Sequence, residues 1–443
     1  MTLADKFDYK KACAYIEDAA KLGSRPGLER IGRLCKLLGD PEDKLRFIHI
    51  AGTNGKGSTA AMISSVLQCA GIRVGMYYSP SLCGLTDHYR INGELITEDE
   101  YAICVSEVAK ANDSLTEECG ESATQFELET AVAFVYFSKN HCDAVILECG
   151  MGGRDDATNI VKNKICCVFA SISYDHMQYL GNTLTDIADV KSGIITSDCP
   201  VIALASSEEV VDVIKRRCAE TESRLYPVDP ADVSYTDDED GICIDYEEYL
   251  KVRVGLAGTY QAENAAVAIR TLTVIDREHL IEGCTVDENA IRKGLAEVKW
   301  PFRFERINDD PQVYVDGAHN EDAAIKLAKT IDDRLAGRTI ILVLGMFRDK
   351  EYEKVIGILA KRAHMIFALT VPDKSRALPA EDVAKCAKKY CEDVTVCDSI
   401  RDAYDKATEA AKAAGPDSTV VAAGSLSYLN EFARCGKDIG KSK

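Results

Sequence analysis

A glycine-rich segment over residues 52–59 carries the residue types that bind nucleotide phosphates. It lies between an apolar run over residues 47–51 and a helical pattern that carries Met62, Ile63 and Val66. In a strand, loop and helix unit, glycines let backbone N–H groups surround an anion, and a lysine reaches the outer phosphates. The sequence therefore predicts an ATP site, and its predicted contacts are Gly52, Thr53, Asn54, Gly55, Lys56, Gly57, Ser58 and Thr59. A plain tight turn is the alternative, because Gly57 separates Lys56 from Ser58.

Four oxygen or nitrogen donors come at or soon after the ends of predicted strands. Ser58 and Ser79 follow the first two strands, Glu148 ends the third, and His176 comes soon after the fourth. Ligands bind at the carboxyl ends of parallel strands, and Mg²⁺ prefers hard oxygen donors together with phosphate oxygens. We therefore predict a magnesium site beside the phosphate loop. The alternatives are a turn role for Ser79 and a hydrogen-bonded core position for His176.

Lys191 lies in the apolar segment 187–195. Burial disfavours the charged form of an amine and lowers its pKa, and a neutral amine can add CO₂ to become a carbamate. One interpretation is therefore a carbamylated Lys191 that helps to orient magnesium, and the family resemblance described below implies the same modification. The alternative is a lysine whose stem is buried and whose charged end reaches solvent.

Apolar strands alternate with helical patterns along most of the chain. This alternation predicts a mostly parallel sheet covered on both faces, and residues 225–256 predict a small antiparallel excursion. The alternation restarts at Val313, and 443 residues are too many for one ordinary core. We predict an α/β fold with a P-loop-containing domain over residues 1–298 and a smaller Rossmann-like α/β domain over residues 299–443.

The composition limits the classes of partner. The net charge of −19 argues against nucleic acid or an anionic membrane as the main partner. The 18 cysteines are scattered and are expected to be buried, reduced thiols. The sequence contains no apolar run of membrane-spanning length and no secretory pattern at its start. We therefore expect a cytoplasmic protein.

Motifs spread over residues 10–435 occur together in a characteristic order. They are residues 49–59, Ser79-Pro80, residues 90–93, residues 148–159 (ECGMGGRDDATN), Asp175-His176-Met177, and residues 191–195, 258–264, 300–305, 316–320, 345–350 and 424–425. Together they resemble the folylpolyglutamate synthase/dihydrofolate synthase family, a branch of the Mur ligases. The interrupted form of the phosphate loop is itself typical of that family.

The resemblance implies an ATP-dependent ligase that adds L-glutamate to the γ-carboxylate of a reduced folate through an acyl phosphate. It makes the first domain the ATP-binding domain and the second the glutamate ligase domain. It implies Mg²⁺ as cofactor, with ATP, L-glutamate and a reduced folate or dihydropteroate as small-molecule partners of a monomer. The implied catalytic residues are Lys56, Lys191, Asp316 and His319, and further ATP contacts are Asn264, Arg303 and Asp316. The implied pterin-site residues are Thr124, Gln125, Phe126, Glu127, Asp155, Asp156 and Ala157.

Other activities remain open from the sequence. Residues 24–26, which touch dihydropteroate in bifunctional members of the family, lack an acidic residue here, and this argues against dihydrofolate synthase activity. A cell-wall amino-acid ligase of the Mur type is the nearest rival, and the pterin-site segments distinguish the two. A P-loop switch or a noncatalytic binding protein is the alternative from another class, although the sequence has no guanine-reading Asn-Lys-x-Asp run.

Overall fold

An eight-stranded sheet organises the part of the chain that contains the phosphate loop. The computed structural model describes residues 6–238 and 241–440. The strands are β1 (Phe47–Ala51), β2 (Val74–Tyr77), β3 (Tyr89–Ile91), β4 (Glu94–Leu95), β5 (Ala144–Glu148), β6 (Lys164–Phe169), β7 (Val201–Leu204) and β8 (Leu225–Val228). Their order is β4-β3-β2-β5-β1-β6-β7-β8. At one edge, β3 pairs antiparallel with both β2 and β4, and the other pairs are parallel. Strands β1, β5 and β7 are buried throughout, because helices cover both faces of a parallel sheet.

Several helices before residue 299 begin at a residue whose side chain caps the helix. Three of them start with a capping box, in which a threonine and an acidic side chain three residues later satisfy backbone N–H groups. The helices are α1 (Tyr9–Asp18), α2 (Glu29–Leu37), α3 (Lys56–Cys69), α4 (Glu98–Cys119), α5 (Gln125–Lys139), α6 (Met177–Leu180), α7 (Leu184–Ser192), α8 (Glu208–Glu220), α9 (Gln261–Arg277) and α10 (Glu288–Glu297). Short 3-10 turns lie at Ala19–Leu22, Pro41–Lys44, Leu85–His88, Ala157–Ile160 and Pro230–Asp232.

A three-stranded sheet follows the main sheet. Its strands are β9 (Val233–Asp238), β10 (Gly241–Tyr246) and β11 (Tyr249–Val254), in the order β11-β10-β9. The predicted antiparallel excursion is confirmed for these strands, since short turns can join only antiparallel neighbours. The prediction of an antiparallel segment was wrong for β8 (Leu225–Val228), which pairs in parallel with β7. Helix α8 supplies the crossover that returns this segment to the main sheet.

A second sheet has six strands and is also mostly parallel. The strands are β12 (Glu305–Asp309), β13 (Gln312–Val315), β14 (Thr339–Leu344), β15 (Met365–Ala368), β16 (Val394–Val396) and β17 (Ser418–Ala423), in the order β12-β13-β17-β14-β15-β16. Only β12 pairs antiparallel. The helices are α11 (Glu321–Arg334), α12 (Tyr352–Ala360), α13 (Ala380–Ala387), α14 (Ile400–Ala414) and α15 (Leu426–Gly440). Leu327, Leu342 and Val355 belong to one buried cluster beneath these helices.

The chain divides into two units. The first unit comprises Met1–Ser234, Asp245–Val252 and Glu263–Val298, and the second comprises Tyr235–Ile244, Arg253–Ala262 and Lys299–Lys443. The predicted fold class is therefore confirmed, whereas the predicted domain boundaries and the roles of the domains stay predictions. Most of the cysteines are buried. Within the described ranges, no helix is long and apolar enough to cross a membrane.

Candidate active site

The phosphate loop lies between β1 and α3 and is anchored to the segment that follows β6. The backbone N–H groups of Thr53 and Asn54 donate to the Ser171 carbonyl oxygen, at 2.7 and 3.2 Å. The Thr53 hydroxyl donates to the Ser173 carbonyl oxygen at 2.9 Å and accepts from the Ser173 N–H at 3.0 Å. The segment after β6 therefore helps to hold the loop in shape.

Gly55 shows why this loop needs glycine. Its φ of 87° lies in the left-handed region, and a Cβ atom built there would lie 2.3 Å from Oδ1 of Asn264. Asn264 is 5% exposed and lies on α9, far from the loop in sequence. The structure thus brings one predicted ATP contact from outside the loop against the loop itself.

Three charged side chains meet around this loop. Lys56 Nζ lies 3.7 Å from Oε1 of Glu148 and donates to the Thr53 carbonyl oxygen at 3.3 Å. Lys191 Nζ donates to the Gly52 carbonyl oxygen at 2.8 Å. Glu148 and Lys191 are 4% and 5% exposed. Lys56 thus places a positive charge at the phosphate loop, where it suits an anionic ligand.

Lys191 is buried, as the apolar segment predicted. Burial lowers the pKa of Lys191 to about 7, and the nearby charge of Lys56 acts in the same direction. A substantial share of this amine is therefore neutral near neutral pH. The neutral form is the one that adds CO₂, and carbamylation itself stays a prediction.

The predicted metal ligands lie along one edge of the main sheet. Strands β2, β5, β1 and β6 are adjacent and parallel, so their carboxyl ends share this edge. Ser79 follows β2, Glu148 ends β5, Ser58 lies in the first turn of α3 after β1, and His176 precedes α6 after β6. His176 Nε2 is 3.9 Å from Oδ2 of its neighbour Asp175. The arrangement is compatible with a shared metal, and the ligand set stays a prediction.

The donors at this edge fit a magnesium nucleotide. Ser58 is 1% exposed and Glu148 supplies a carboxylate, so both provide hard oxygen atoms. Among the residues that the structure describes, none hydrogen-bonds to the buried hydroxyl oxygen of Thr59. A buried hydroxyl without a partner is costly, and a phosphate oxygen at the helix N-terminus would satisfy it.

The first pterin-site segment forms the start of α5. Thr124 is the N-cap, and Oε2 of Glu127 accepts from its N–H and its hydroxyl, both at 2.8 Å. The same oxygen accepts from Arg30 Nε at 3.1 Å. Glu127 therefore shapes this turn. Phe126 lies against Gly150, where a Cβ would come within 2.5 Å of the ring.

The second pterin-site segment joins the loop after β5. Asp156 is 7% exposed, and its carboxylate accepts from the Met151 N–H at 2.8 Å and the Thr158 hydroxyl at 2.6 Å. Asp155 is exposed, and its carbonyl oxygen accepts from the Gly27 N–H at 3.1 Å. The buried Ala157 begins the following 3-10 turn. The structure thus uses the side chain of Asp156 within the loop and leaves that of Asp155 exposed.

Sequence reasoning missed a buried polar group beside this loop. His49 Nε2 lies 2.9 Å from the Thr158 hydroxyl and 3.1 Å from Cys149 Sγ. Full burial lowers the pKa of His49 well below its ordinary value. A histidine inside an apolar strand was the available signal, because a polar side chain there needs a partner.

The predicted second-unit residues cluster after β13. Asp316 is 3% exposed and accepts from Tyr260 Oη at 2.6 Å and from the N–H groups of Phe304 and Ala318 at 2.9 and 2.8 Å. Burial raises the pKa of Asp316, and these hydrogen bonds oppose that shift. Tyr260 was not predicted, although it lies in the segment that was noted for Asn264.

Two further predicted residues of the second unit, Arg303 and His319, contact the backbone near Asp316. Arg303 Nη1 donates to the Phe302 carbonyl oxygen at 3.0 Å. Nδ1 of His319 donates to the Gly317 carbonyl oxygen at 2.8 Å. A Cβ at Gly317 would lie 2.4 Å from Arg303 Nη1, so this glycine lets the guanidinium pack against the loop.

Comparisons with known proteins agree with this architecture. Residues 50–272 match the Mur ligase middle domain, and residues 302–426 match the Mur ligase glutamate ligase domain. The dihydrofolate synthase/folylpolyglutamate synthase of Bacillus subtilis is 34% identical, over 96% of this chain and 98% of the relative. The folylpolyglutamate synthase of Lacticaseibacillus casei is 31% identical, over 96% and 98% of the two chains.

Solved structures extend the likeness to the whole fold. A Mycobacterium tuberculosis folylpolyglutamate synthase complexed with ADP and AMPPCP superposes with a TM-score of 0.87 at 28% identity, covering 98% of this chain and 99% of that one. E. coli FolC in complex with DHPP and ADP gives a TM-score of 0.83 at 28% identity, covering 99% of each chain. The fold and site define a Mur ligase. Within that class, the chain belongs to the folylpolyglutamate synthase/dihydrofolate synthase family.

Proposed function

We propose that this protein is an ATP-dependent ligase that adds L-glutamate to the γ-carboxylate of a reduced folate. The observation that carries the proposal is the set of three charges at the phosphate loop, where Lys56, Glu148 and Lys191 lie around one turn of backbone. Full-length relatives with this activity in their names, and ADP complexes of solved neighbours, support it.

The γ-carboxylate of a folate is a poor electrophile, so it must be activated before the amine of L-glutamate can attack it. The γ-carboxylate of the folate attacks the γ-phosphoryl group of ATP, which forms an acyl phosphate and releases ADP. The amine of L-glutamate then adds to the acyl carbon, and the collapse of the tetrahedral intermediate forms the amide and releases phosphate. Lys56 stabilises the negative charge that develops on the phosphoryl oxygens.

We assign the metal to Ser58, Ser79, Glu148 and His176. Bound Mg²⁺ supplies positive charge that neutralises phosphate oxygens. Lys191, with its lowered pKa, is proposed as the carbamylated lysine that orients this ion. Oε1 of Glu148 also lies 3.7 Å from Nζ of Lys56, and this ion pair limits how far the lysine side chain extends.

Other assignments stay predictions at this point. Arg303, Asp316 and His319 are proposed to serve ATP binding and catalysis from the second unit, and the segments 124–127 and 155–157 to serve pterin binding. A cytoplasmic monomer is the proposed state. Dihydrofolate synthase activity is tested as a second acceptor reaction, because the name of the Bacillus subtilis relative includes it.

The test is release of inorganic phosphate from ATP with L-glutamate and an acceptor, followed by mass analysis of the product. We expect phosphate release and a product longer by one glutamate with tetrahydrofolate. Dihydropteroate in place of tetrahydrofolate measures the second activity. Phosphate release that does not require L-glutamate would overturn the ligase proposal in favour of a nucleotide switch.

A further inference from the structure

Three acidic side chains meet in the segment that joins α2 to β1. They belong to Asp40, Glu42 and Asp43, and one carboxylate oxygen of each lies within 4.8 Å of those of the other two. This segment precedes β1, whereas the phosphate loop follows it. The five residues of the strand separate the two by about 16 Å, at a rise of about 3.3 Å per residue. The acidic cluster is therefore distinct from the magnesium site proposed at the phosphate loop.

Glu42 distinguishes this cluster from the acidic groups that are common on protein surfaces. Its side chain is 6% exposed, whereas Asp40 and Asp43 are exposed. Its Oε2 atom is buried, and none of the described residues hydrogen-bonds to it. A buried carboxylate oxygen without a donor is costly. A cation held among the three carboxylates would contact this group and remove that cost.

The described part of the protein offers the cluster one ion pair. Lys162 Nζ lies 3.8 Å from Oδ1 of Asp43, and the lysine side chain is 78% exposed, so the pair contributes little. None of the described residues forms an ion pair with Asp40 or Glu42. A proton is the alternative way to neutralise Glu42, because burial raises its pKa and the charges of Asp43 and Asp40 act in the same direction.

Hydrogen bonds hold the backbone that carries the three side chains. The N–H of Asp40 donates to the Cys35 carbonyl oxygen at 2.9 Å, and the N–H of Asp43 donates to the Asp40 carbonyl oxygen at 3.2 Å. Nδ2 of Asn163 donates to the Asp43 carbonyl oxygen at 2.9 Å. The carboxylates are thus carried by a segment that is held by the protein itself, so little order has to be gained when an ion binds.

We propose that Asp40, Glu42 and Asp43 form a second cation site, which binds a hard divalent ion of the calcium type and stabilises the segment before β1. Oxygen ligands lie about 2.3–2.6 Å from a Ca²⁺ ion, so two of them can be at most about 5 Å apart. The three carboxylates satisfy this limit. Because two of them are exposed and water completes the ligand shell, we expect a Kd of about 0.1–1 mM.

The first experiment measures the bound ion and its effect on stability in the full-length, nucleotide-free protein. In equilibrium dialysis against Ca²⁺, the wild type should bind about one ion per chain more than Glu42→Gln does. About 5 mM CaCl₂ should raise the Tm of the wild type by about 2–4 °C, because only the folded chain presents the site. KCl of the same ionic strength should not raise the Tm. An equal rise with KCl, or no response to CaCl₂, would overturn the site and leave the proton as the partner of Glu42.

Substitutions within the cluster test which side chains hold the ion. Glu42→Gln replaces the buried charge by a neutral group of the same shape and should abolish the rise in Tm with CaCl₂. Asp40→Asn changes an exposed position and should weaken Ca²⁺ binding about tenfold, so it tests the site even where Glu42→Gln folds poorly. Unchanged Ca²⁺ binding in these variants would overturn the proposal.

Glu129→Gln is the matched control for removing a buried charge. Glu129 is another carboxylate of the first unit, 5% exposed, and it lies on α5 outside the cluster. This variant should keep the wild-type response to CaCl₂. A response that is lost equally in Glu129→Gln and Glu42→Gln would show a general effect of buried charge and would overturn the site.

Glu148→Gln separates this site from the phosphate loop. That variant should lose ligase activity and keep the rise in Tm with CaCl₂, whereas Glu42→Gln should ligate glutamate at the wild-type rate. A rise that disappears in Glu148→Gln and persists in Glu42→Gln would assign the ion to the phosphate loop and overturn the second site. A wild type that binds Ca²⁺ through Glu42 and ligates no glutamate would overturn the proposed function and support this site.

Discussion

The two units hold their predicted catalytic side chains in different ways. Around the phosphate loop of the first unit, Lys56, Lys191 and Glu148 lie close together, and the hydroxyl of Thr59 has no hydrogen-bond partner among the described residues. In the second unit, Asp316 accepts three hydrogen bonds from its own surroundings. The first arrangement leaves a polar group for a ligand to satisfy, and the second is internally satisfied.

This difference indicates what each group contributes. Charges that are close together and poorly solvated interact strongly with an arriving anion, so they can stabilise a transferring phosphoryl group. A carboxylate that is saturated with donors is instead well suited to fixing the loop that carries it. Asp316 thus holds the turn on which Gly317 and His319 lie. Substitutions around the phosphate loop should therefore affect catalysis with little cost in stability, whereas substitutions around Asp316 should lower stability in addition to any effect on the ATP contact proposed for it.

The largest effect should come from Lys56→Ala. Loss of the positive charge beside the phosphoryl group should lower kcat for ligation by about a hundredfold or more, while the free energy of unfolding changes little. Steady-state kinetics with tetrahydrofolate, ATP and L-glutamate measures the effect. Lys215→Ala is the control, because that side chain is 60% exposed on α8. Near-normal turnover in Lys56→Ala would show that the charge at the phosphate loop is not needed for catalysis, and the proposed difference between the two units would then be wrong.

A second effect follows from the pKa of Lys191, which burial lowers from 10.5 to about 7 in the folded protein. Between these two pKa values the unfolded chain binds more protons at Lys191 than the folded protein does. The free energy of unfolding should therefore rise with pH through this window, and the gain should be absent below pH 7. From pH 7 to pH 9 the gain should be about 2 kcal/mol. Urea unfolding in metal-free, nucleotide-free and CO₂-depleted buffer measures it.

Lys191→Met is the comparison for this pH dependence. Methionine is buried without a charge, so the variant should lack the rise that the wild type shows. Parallel pH profiles in the two proteins would mean that Lys191 is charged and well compensated in the folded state. That outcome would also remove the support for a carbamate.

The smallest effect should come from Tyr260→Phe. Removing the hydroxyl that donates to Asp316 leaves two backbone donors, so we expect the free energy of unfolding to fall by about 1.5 kcal/mol. The pKa of Asp316 should rise, because that hydrogen bond lowers it. Denaturant unfolding of the second unit's transition measures the change.

The matched substitution is Tyr226→Phe. The hydroxyl of Tyr226 contacts Glu278 at an exposed position of the first unit. Its loss should change the free energy of unfolding by less than about 0.5 kcal/mol. A similar cost at both tyrosines would mean that Asp316 gains nothing special from Tyr260.

Local pattern accounts for much of the fold. Strand β14 (Thr339–Leu344) and helix α12 (Tyr352–Ala360) follow from the sequence, because a bounded apolar run and a clear helical period leave little choice. The short edge strands β3, β4 and β12 were missed, since two to five residues carry too little pattern. Strand β8 was assigned to the wrong sheet, because a sequence pattern does not name the partner of a strand.

The sequence by itself determined the phosphate loop, the alternation of strands and helices, and the order of motifs that identifies the family. Only the tertiary structure decided that Lys191 reaches the carbonyl oxygen of Gly52, 139 residues away, and that Tyr260 donates to Asp316. Loop chemistry and periodicity are local properties, and they can be read from neighbouring residues. Contacts between distant side chains depend on the order in which strands pack, and the burial that shifts their pKa values follows from that packing alone.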